Sequence, residues 1–212
     1  VLEGLKAIST DIRLIITDLN LVPENLNTFP IIYNQSNRYH EYAAIEQNTL
    51  FKSPFSMYDK DIGIYFGGTE RGRLQDCIEY LWRPNVMWKG KSKYFNFNNY
   101  IPFHEHIELL KRTRYTIVIG DEYYNDLGFV TPRFYECAKY GVIPFVDSKF
   151  DPDHLILPSN SFLRVSSFQQ MMDRITIFES APSQYLATLN QLENICNDPL
   201  KQSGENIYQA II

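Results

Sequence analysis

Apolar residues in this chain fall in short runs with two different periods. Asp61-Ile62-Gly63-Ile64-Tyr65-Phe66 reads as a strand ending at Gly67-Gly68, and a helical pattern follows from Leu74 to Trp82. Val86-Met87-Trp88 is a second short strand. Pro102 opens a helix through Arg112, standing where a missing N–H costs nothing. Tyr115 to Gly120 is a near-continuous β-branched run, the pattern of a strand covered on both faces. Thr131 caps and Pro132 begins another helix, which Gly141 stops. Val142 to Val146 and Phe162 to Val165 read as strands. Ser167-Phe168-Gln169-Gln170 fits a capping box opening a helix to about Glu179, and two helical stretches follow, Gln184 to Asn197 and Glu205 to Ile211. Before Tyr58 only Leu14-Ile15-Ile16 and Pro30-Ile31-Ile32-Tyr33 stand out from loop-forming Asn, Pro and Ser. Strand alternating with helix from residue 59 onward predicts an α/β fold with a Rossmann-like parallel sheet. Residues 1–58 are too irregular to be a domain alone.

Composition narrows the class. A chain of 212 residues, 44% hydrophobic and 21% charged, can bury a core without metal or disulfide staples. No apolar run approaches the roughly 18–20 residues of a membrane span, and the first residues lack the plan of a signal peptide. Cys77, Cys137 and Cys196 are odd in number and scattered, which suits buried thiols in a reducing, cytoplasmic setting. The net charge of −5 argues against wholesale coating of nucleic acid. Between Arg71 and Arg114, however, nine basic residues face four acidic ones. That local excess is either an anion site or a solvated basic face.

In an open parallel sheet, ligands bind beyond the carboxyl ends of the strands. After the first strand comes Gly67-Gly68-Thr69-Glu70-Arg71-Gly72-Arg73. Its glycines allow close backbone approach to phosphate and its arginines carry forked donors, although an ordinary turn explains the same residues. The segment has no Walker lysine and no full dinucleotide fingerprint. After the third strand comes Asp121-Glu122-Tyr123-Tyr124-Asn125-Asp126, then Arg133 and Glu136, three apart on one helix face. A helix N-terminus with Arg133 suits a diphosphate, and Glu136 can accept from both hydroxyls of a ribose. An intrahelical ion pair is the simpler account of the two. His104 and His106, two apart on a helix, point to different faces and make a poor metal pair. Asp147, Asp151, Asp153 and His154 could hold Mg²⁺, but turn chemistry accounts for them too.

Four stretches together resemble the tailed-phage DNA β-glucosyltransferases, a nucleotide-sugar family of the two-domain GT-B fold. They are Thr10-Asp11-Ile12-Arg13-Leu14, Tyr65-Phe66-Gly67-Gly68-Thr69 with Arg71 and Arg73, Ile119-Gly120-Asp121 with Tyr124-Asn125-Asp126, and Arg133 with Glu136. Phe150-Asp151, His154 and the helix-rich tail are similar as well. The resemblance implies a donor domain at 59–196, the end of an acceptor-side domain at 1–58, and a C-terminal helix at 197–212 crossing back to it. It implies Asp11 as the base that takes the acceptor's proton. Arg71, Arg73 and Arg133 would neutralise the UDP phosphates, and Glu136 would hold the ribose. Gly68, Thr69, Asp121 and Tyr124 would contact the donor, and Ile101 would meet uracil through its backbone. The implied reaction inverts the anomeric centre, moving glucose from UDP-glucose to 5-hydroxymethylcytosine in duplex DNA with the base flipped out. Any Mg²⁺ or Mn²⁺ would act through the diphosphate, with no dedicated metal site. The implied protein is a monomer in a host cell's cytoplasm. The loop with Arg71 and Arg73 is about two residues shorter than the family's, and the family's N-terminal strands have no counterpart in these 212 residues. A polysaccharide, lipid or protein acceptor, or a catalytically silent nucleotide- or DNA-binding relative, are the competing readings.

Overall fold

The computed structural model describes residues 56–120, 133–150 and 157–211, together with the backbone at 14–15 and 31–32; for 197–211 the backbone alone is described. The chain divides into two compact units, one made of Val1–Asn48 with Asp198–Ile212 and the other of Thr49–Asn197. In the first unit, β1 (Leu14–Ile15) pairs in parallel with β2 (Ile31–Ile32). These are the two apolar runs that stand out in the sequence.

The second unit carries a six-stranded sheet. Its strands are β3 (Ile62–Thr69), β4 (Val86–Ser92), β5 (Phe97–Asn98), β6 (Thr113–Val118), β7 (Ile143–Asp147) and β8 (Arg164–Val165). The order is β5-β4-β3-β6-β7-β8, and every pairing is parallel except β4 with β5. Counted from β3 this is 3-2-1-4-5-6, the Rossmann order, and it reverses direction between β3 and β6. The fold is α/β, as the alternation of elements predicts.

Helices fill the connections. They are α1 (Leu74–Asp76, passing into a π-helical segment Cys77–Leu81), α2 (Phe103–Arg112), α3 (Arg133–Lys139), α4 (Phe168–Ser180) and α5 (Pro182–Ile211). Every residue of β7 is buried, as its continuous apolar run demands. Around Tyr115, the rings of Phe145, Phe178 and Tyr185 stand 5.8–6.2 Å away. The Tyr185 hydroxyl is satisfied by donating to Gly141 O at 3.0 Å. Elsewhere in the unit Ile62, Tyr65, Leu110, Cys137 and Val142 form an apolar cluster. Lys60 is buried, and its ammonium donates to Lys111 O (3.1 Å) and Tyr140 O (2.9 Å), at the C-terminal ends of α2 and α3. Burial pushes its pKa down to about 8. All three cysteines are free and buried. Among the described residues no helix is long and apolar enough to cross a membrane.

Several elements differ from their sequence pattern. β3 runs on through Gly67-Gly68-Thr69, and β4 through Lys89-Gly90-Lys91-Ser92, pairing as far as Thr69↔Lys91. The glycines are what lets these strands pair so far. A Cβ on Gly90 would lie 1.9 Å from Gly68 O, so the backbones touch where a pattern of side chains suggests a loop. β5 is two residues long, too short to show any periodicity. α5 is continuous where two helical stretches are expected, passing through Pro199 and Gly204. An interior proline removes its own N–H from the ladder and crowds the carbonyl four residues back, which is why the sequence pattern suggests a break there. At α4 half of the capping box forms, with Ser167 Oγ accepting from Gln170 N. The Gln170 side chain instead accepts from Ser166 N (2.8 Å), and Glu79 takes the N–H of Phe168 (2.7 Å).

Candidate functional site

The reversal of strand order leaves a crevice between the carboxyl ends of β3 and β6. Its β3 side is made by the main chain. Beyond Thr69 the chain turns sharply: Arg73 N bonds Glu70 O (3.1 Å) while Glu70 N bonds Lys91 O (3.0 Å). Arg71 (φ +29°) and Gly72 (φ +66°) are both left-handed there, a conformation that costs a non-glycine residue about 1–2 kcal/mol. The Glu70 carboxylate accepts from the Ser92 hydroxyl and from Tyr94 N, which fixes the turn to the strand beside it. Arg71 is exposed at the tip, with no side-chain hydrogen bond among the described residues.

Arg73 closes this side. Its Nη1 donates to Ile119 O (2.7 Å), just past β6, while Nη2 (2.7 Å) and Nε (3.2 Å) donate to Thr69 O. One guanidinium thus ties together the two strands that flank the reversal. The Phe66 ring lies 5.3 Å beneath it. Gly68 keeps the space open, since a Cβ there would stand 3.0 Å from that ring and 3.4 Å from Arg73 Nη2.

The α3 side is made of side chains. Arg133 lies 5.9 Å from the same Phe66 ring, so two guanidiniums converge on one aromatic ring. Glu136, one helical turn along, is 3.7 Å from Arg133 Nε through Oε2. Between them sits His106 of α2, whose Nε2 is 3.3 Å from Glu136 Oε2 and 3.1 Å from Arg133 Nη1. Its Nδ1 is 2.6 Å from the Tyr65 hydroxyl. The proton is assigned to Nε2, because that tautomer lets Tyr65 donate to Nδ1 and His106 donate to Glu136 at once; Arg133 Nη1, itself a donor, is then a close neighbour of Nε2 and not its hydrogen-bond partner. Burial pushes the Glu136 carboxyl up, but the His106 hydrogen bond and the Arg133 charge outweigh it and hold it below the ordinary carboxylate range. Burial drives the Tyr65 phenol well above its usual range, against the opposing charge of Arg133. Tyr65 is therefore a neutral donor at any working pH.

Of the residues singled out in the sequence, Gly68, Thr69, Arg73, Arg133 and Glu136 come together here, Arg73 already holding backbone carbonyls, and Arg71 is on the exposed turn that follows β3. Ile101 is half-buried directly before Pro102, the N-cap of α2, with Tyr100 and Phe103 exposed on either side. Asp11, Asp121 and Tyr124 lie outside the described residues, as do Asp151, Asp153 and His154. Asp147 accepts from the Tyr80 hydroxyl (2.6 Å) and from Lys149 N (2.8 Å), the turn role that competed with a metal role. Among the described residues no group of three ligating side chains could hold a metal ion. Sequence reasoning passed over His106, considered only as half of a metal pair. Its signal was the helix face, because His106 and Leu110, four apart, are the buried residues of α2.

No protein-family model matches the chain, and no curated protein matches it. Solved structures do. The chain is similar to a DNA-modifying enzyme, β-glucosyltransferase, solved with and without uridine diphosphoglucose, at a TM-score of 0.66 and 19% identity. That match covers 89% of this chain and 61% of the other. T4 phage BGT in complex with UDP and Mn²⁺ matches at 0.65 and 19%, covering 89% and 57%. T4 phage BGT with its UDP-glucose substrate matches at 0.65 and 20%, covering 89% and 58%. The resemblance first carried by four short motifs thus extends to the fold, which this chain shares with these structures. The chain spans about three fifths of the length of these structures.

Proposed function

We propose that this chain carries the donor site of an inverting, UDP-sugar-dependent glycosyltransferase whose acceptor is a 5-hydroxymethylated cytosine in duplex DNA. The observation that supports it most is the convergence of Arg73 and Arg133 on Phe66, with Glu136 beside them, at the reversal of strand order. Among the described residues the Arg73 and Arg133 guanidiniums and the Glu136 carboxylate meet at this point, where a nucleotide diphosphate docks in such folds. Structures of this fold that bind UDP and UDP-glucose support the same donor.

In this reading Arg71 and Arg133 pair with the diphosphate, and Arg73 holds the two strand ends at the spacing it needs. Glu136 accepts from the ribose hydroxyls through Oε1, because Oε2 is committed to His106 and Arg133. Gly68, Thr69, Asp121 and Tyr124 complete the donor contacts, and the backbone at Ile101 meets the uracil. Asp11 takes the proton of the acceptor hydroxymethyl group as its oxygen attacks the anomeric carbon. The bond from that carbon to the β-phosphate oxygen breaks, its electrons leave with UDP, and the arginines stabilise the charge that develops. One base suffices for this inverting displacement. The flipped-out base is what chemistry within a duplex requires. A Mg²⁺ or Mn²⁺ ion would rest on the diphosphate oxygens, since the described residues build no cage for it. Residues 1–58 then belong to the acceptor side and 59–196 to the donor side, in a monomeric cytoplasmic enzyme.

The net charge of −5 favours a second reading, in which the same donor site serves a polysaccharide, lipid or protein acceptor. A transfer assay with labelled UDP-glucose on hydroxymethylated duplex, plain duplex and a glycan acceptor separates the two. Label on the hydroxymethylated duplex alone is expected, and no transfer to any DNA sinks the DNA reading. Asp11→Asn should bind UDP as tightly as the wild type yet lose turnover by at least about 100-fold. Retained turnover removes Asp11 from the mechanism.

A further inference from the structure

We propose that His106 is the positioning residue of this site, holding Arg133 and Glu136 apart so that one carboxylate oxygen is presented to a ribose diol; this rests on the donor reading above. Arg133 and Glu136 are three apart on a helix, the spacing at which such a pair closes on itself. Here Arg133 Nε and Glu136 Oε2 make an ion pair at 3.7 Å, longer than a hydrogen bond, and His106 Nε2 lies against both partners. The ring is itself held. It is 8% exposed, Tyr65 bonds its far nitrogen, and the place where a Gly67 Cβ would stand is 2.5 Å from the Tyr65 hydroxyl and 2.7 Å from Nδ1. Gly67 therefore admits the hydrogen bond that fixes His106. With Oε2 engaged, Glu136 Oε1 has no hydrogen-bond partner among the described residues. An anchored carboxylate with one open oxygen suits a vicinal diol, which donates hydrogen bonds to it. His106 touches no substrate in this scheme. It acts through Glu136.

The test is calorimetric binding of UDP and of 2′,3′-dideoxy-UDP to the wild-type chain and to His106→Ala, His106→Gln and Tyr65→Phe. His106→Ala should weaken UDP by about 10- to 100-fold, the usual effect of losing a partner that orients a ligating group. It should leave dideoxy-UDP within about twofold, since that ligand has no diol for Glu136 to hold. His106→Gln, whose amide N–H reaches toward Glu136, should recover most of the lost UDP affinity. Tyr65→Phe, which preserves packing, should lose affinity for UDP alone and by a smaller factor. In the unliganded wild type, imidazole ¹⁵N shifts should report the proton on Nε2. Equal losses for both nucleotides, no loss for either, or a proton on Nδ1 would overturn this proposal while leaving the donor site standing. A wild-type chain that binds neither nucleotide overturns the donor reading and this proposal with it.

Discussion

The two walls of the crevice carry the same kind of charge and are built in opposite ways. On the β3 wall Arg73 is held by Thr69 O and Ile119 O, and the turn before it is fixed by backbone bonds to Glu70 O and Lys91 O. On the α3 wall Glu136 is held by His106, which Tyr65 holds in turn, with Arg133 beside both. One wall is main chain with a guanidinium sealing it. The other is a relay of side chains from β3, α2 and α3. Main-chain contacts are indifferent to pH and intolerant of added atoms, whereas a side-chain relay can shift but depends on every member.

The largest difference should come from adding one methyl group to each wall. On Gly90 the new Cβ would meet backbone, 1.9 Å from Gly68 O, and φ of +155° is itself unfavourable for a side chain. Gly90→Ala should cost more than about 3 kcal/mol in a denaturant titration, or prevent folding. On Gly67 the Cβ would meet the far ends of Tyr65 and His106, which can move. Gly67→Ala should cost no more than about 1.5 kcal/mol of stability, because a displaced rotamer absorbs the clash, yet weaken UDP binding about tenfold. If both variants were equally stable, the contrast between the walls would be lost.

Next come the arginines. Arg73→Ala leaves two carbonyls at the strand ends without their charged donor and should destabilise the unit by about 2–3 kcal/mol. Arg133→Ala leaves no backbone group unpaired. It should melt within about 1 kcal/mol of the wild type while UDP affinity falls roughly 100-fold, the loss of a charge-assisted pair with phosphate. Paired melting curves and calorimetry decide the matter. A stable Arg73→Ala with weak UDP binding, beside an unstable Arg133→Ala that binds normally, would exchange the roles of the two residues.

These two walls were not equally legible in the sequence. The glycines and the arginines at 71 and 73 mark a strand end, because that part of the β3 wall is contiguous in the chain. Even there the bond from Arg73 to Ile119 O could not be read, since the two are 46 residues apart. The α3 wall showed Arg133 and Glu136 at helical spacing, but the ring between them comes from α2 and its anchor from β3, separated from it by 41 residues. No local pattern encodes such a contact. The extension of β4 was hidden for a related reason, as Lys89-Gly90-Lys91 looks like a loop until Gly68 lies against it. Sequence periodicity reports what a residue does along its own element. It is silent about what packs across.

The smallest effect sharpens the comparison through pH. Glu136 has a carboxyl pKa held below its ordinary value in the folded chain, so the folded state keeps the charge where the unfolded chain would take up a proton. The stabilisation it lends is complete above the unfolded value near 4.5 and is lost as pH falls through the lower folded value. No corresponding loss attaches to the Arg73 contacts on the β3 wall, whose carbonyl acceptors do not titrate. Denaturant midpoints measured from pH 6 down to pH 3 should therefore fall less steeply in Glu136→Gln than in the wild type, while Arg73→Ala should keep the wild-type slope from a lower starting point. A slope unchanged by Glu136→Gln would mean that the carboxylate is not held by charge at all, and the α3 wall would then be as inert to pH as the carbonyl contacts of Arg73.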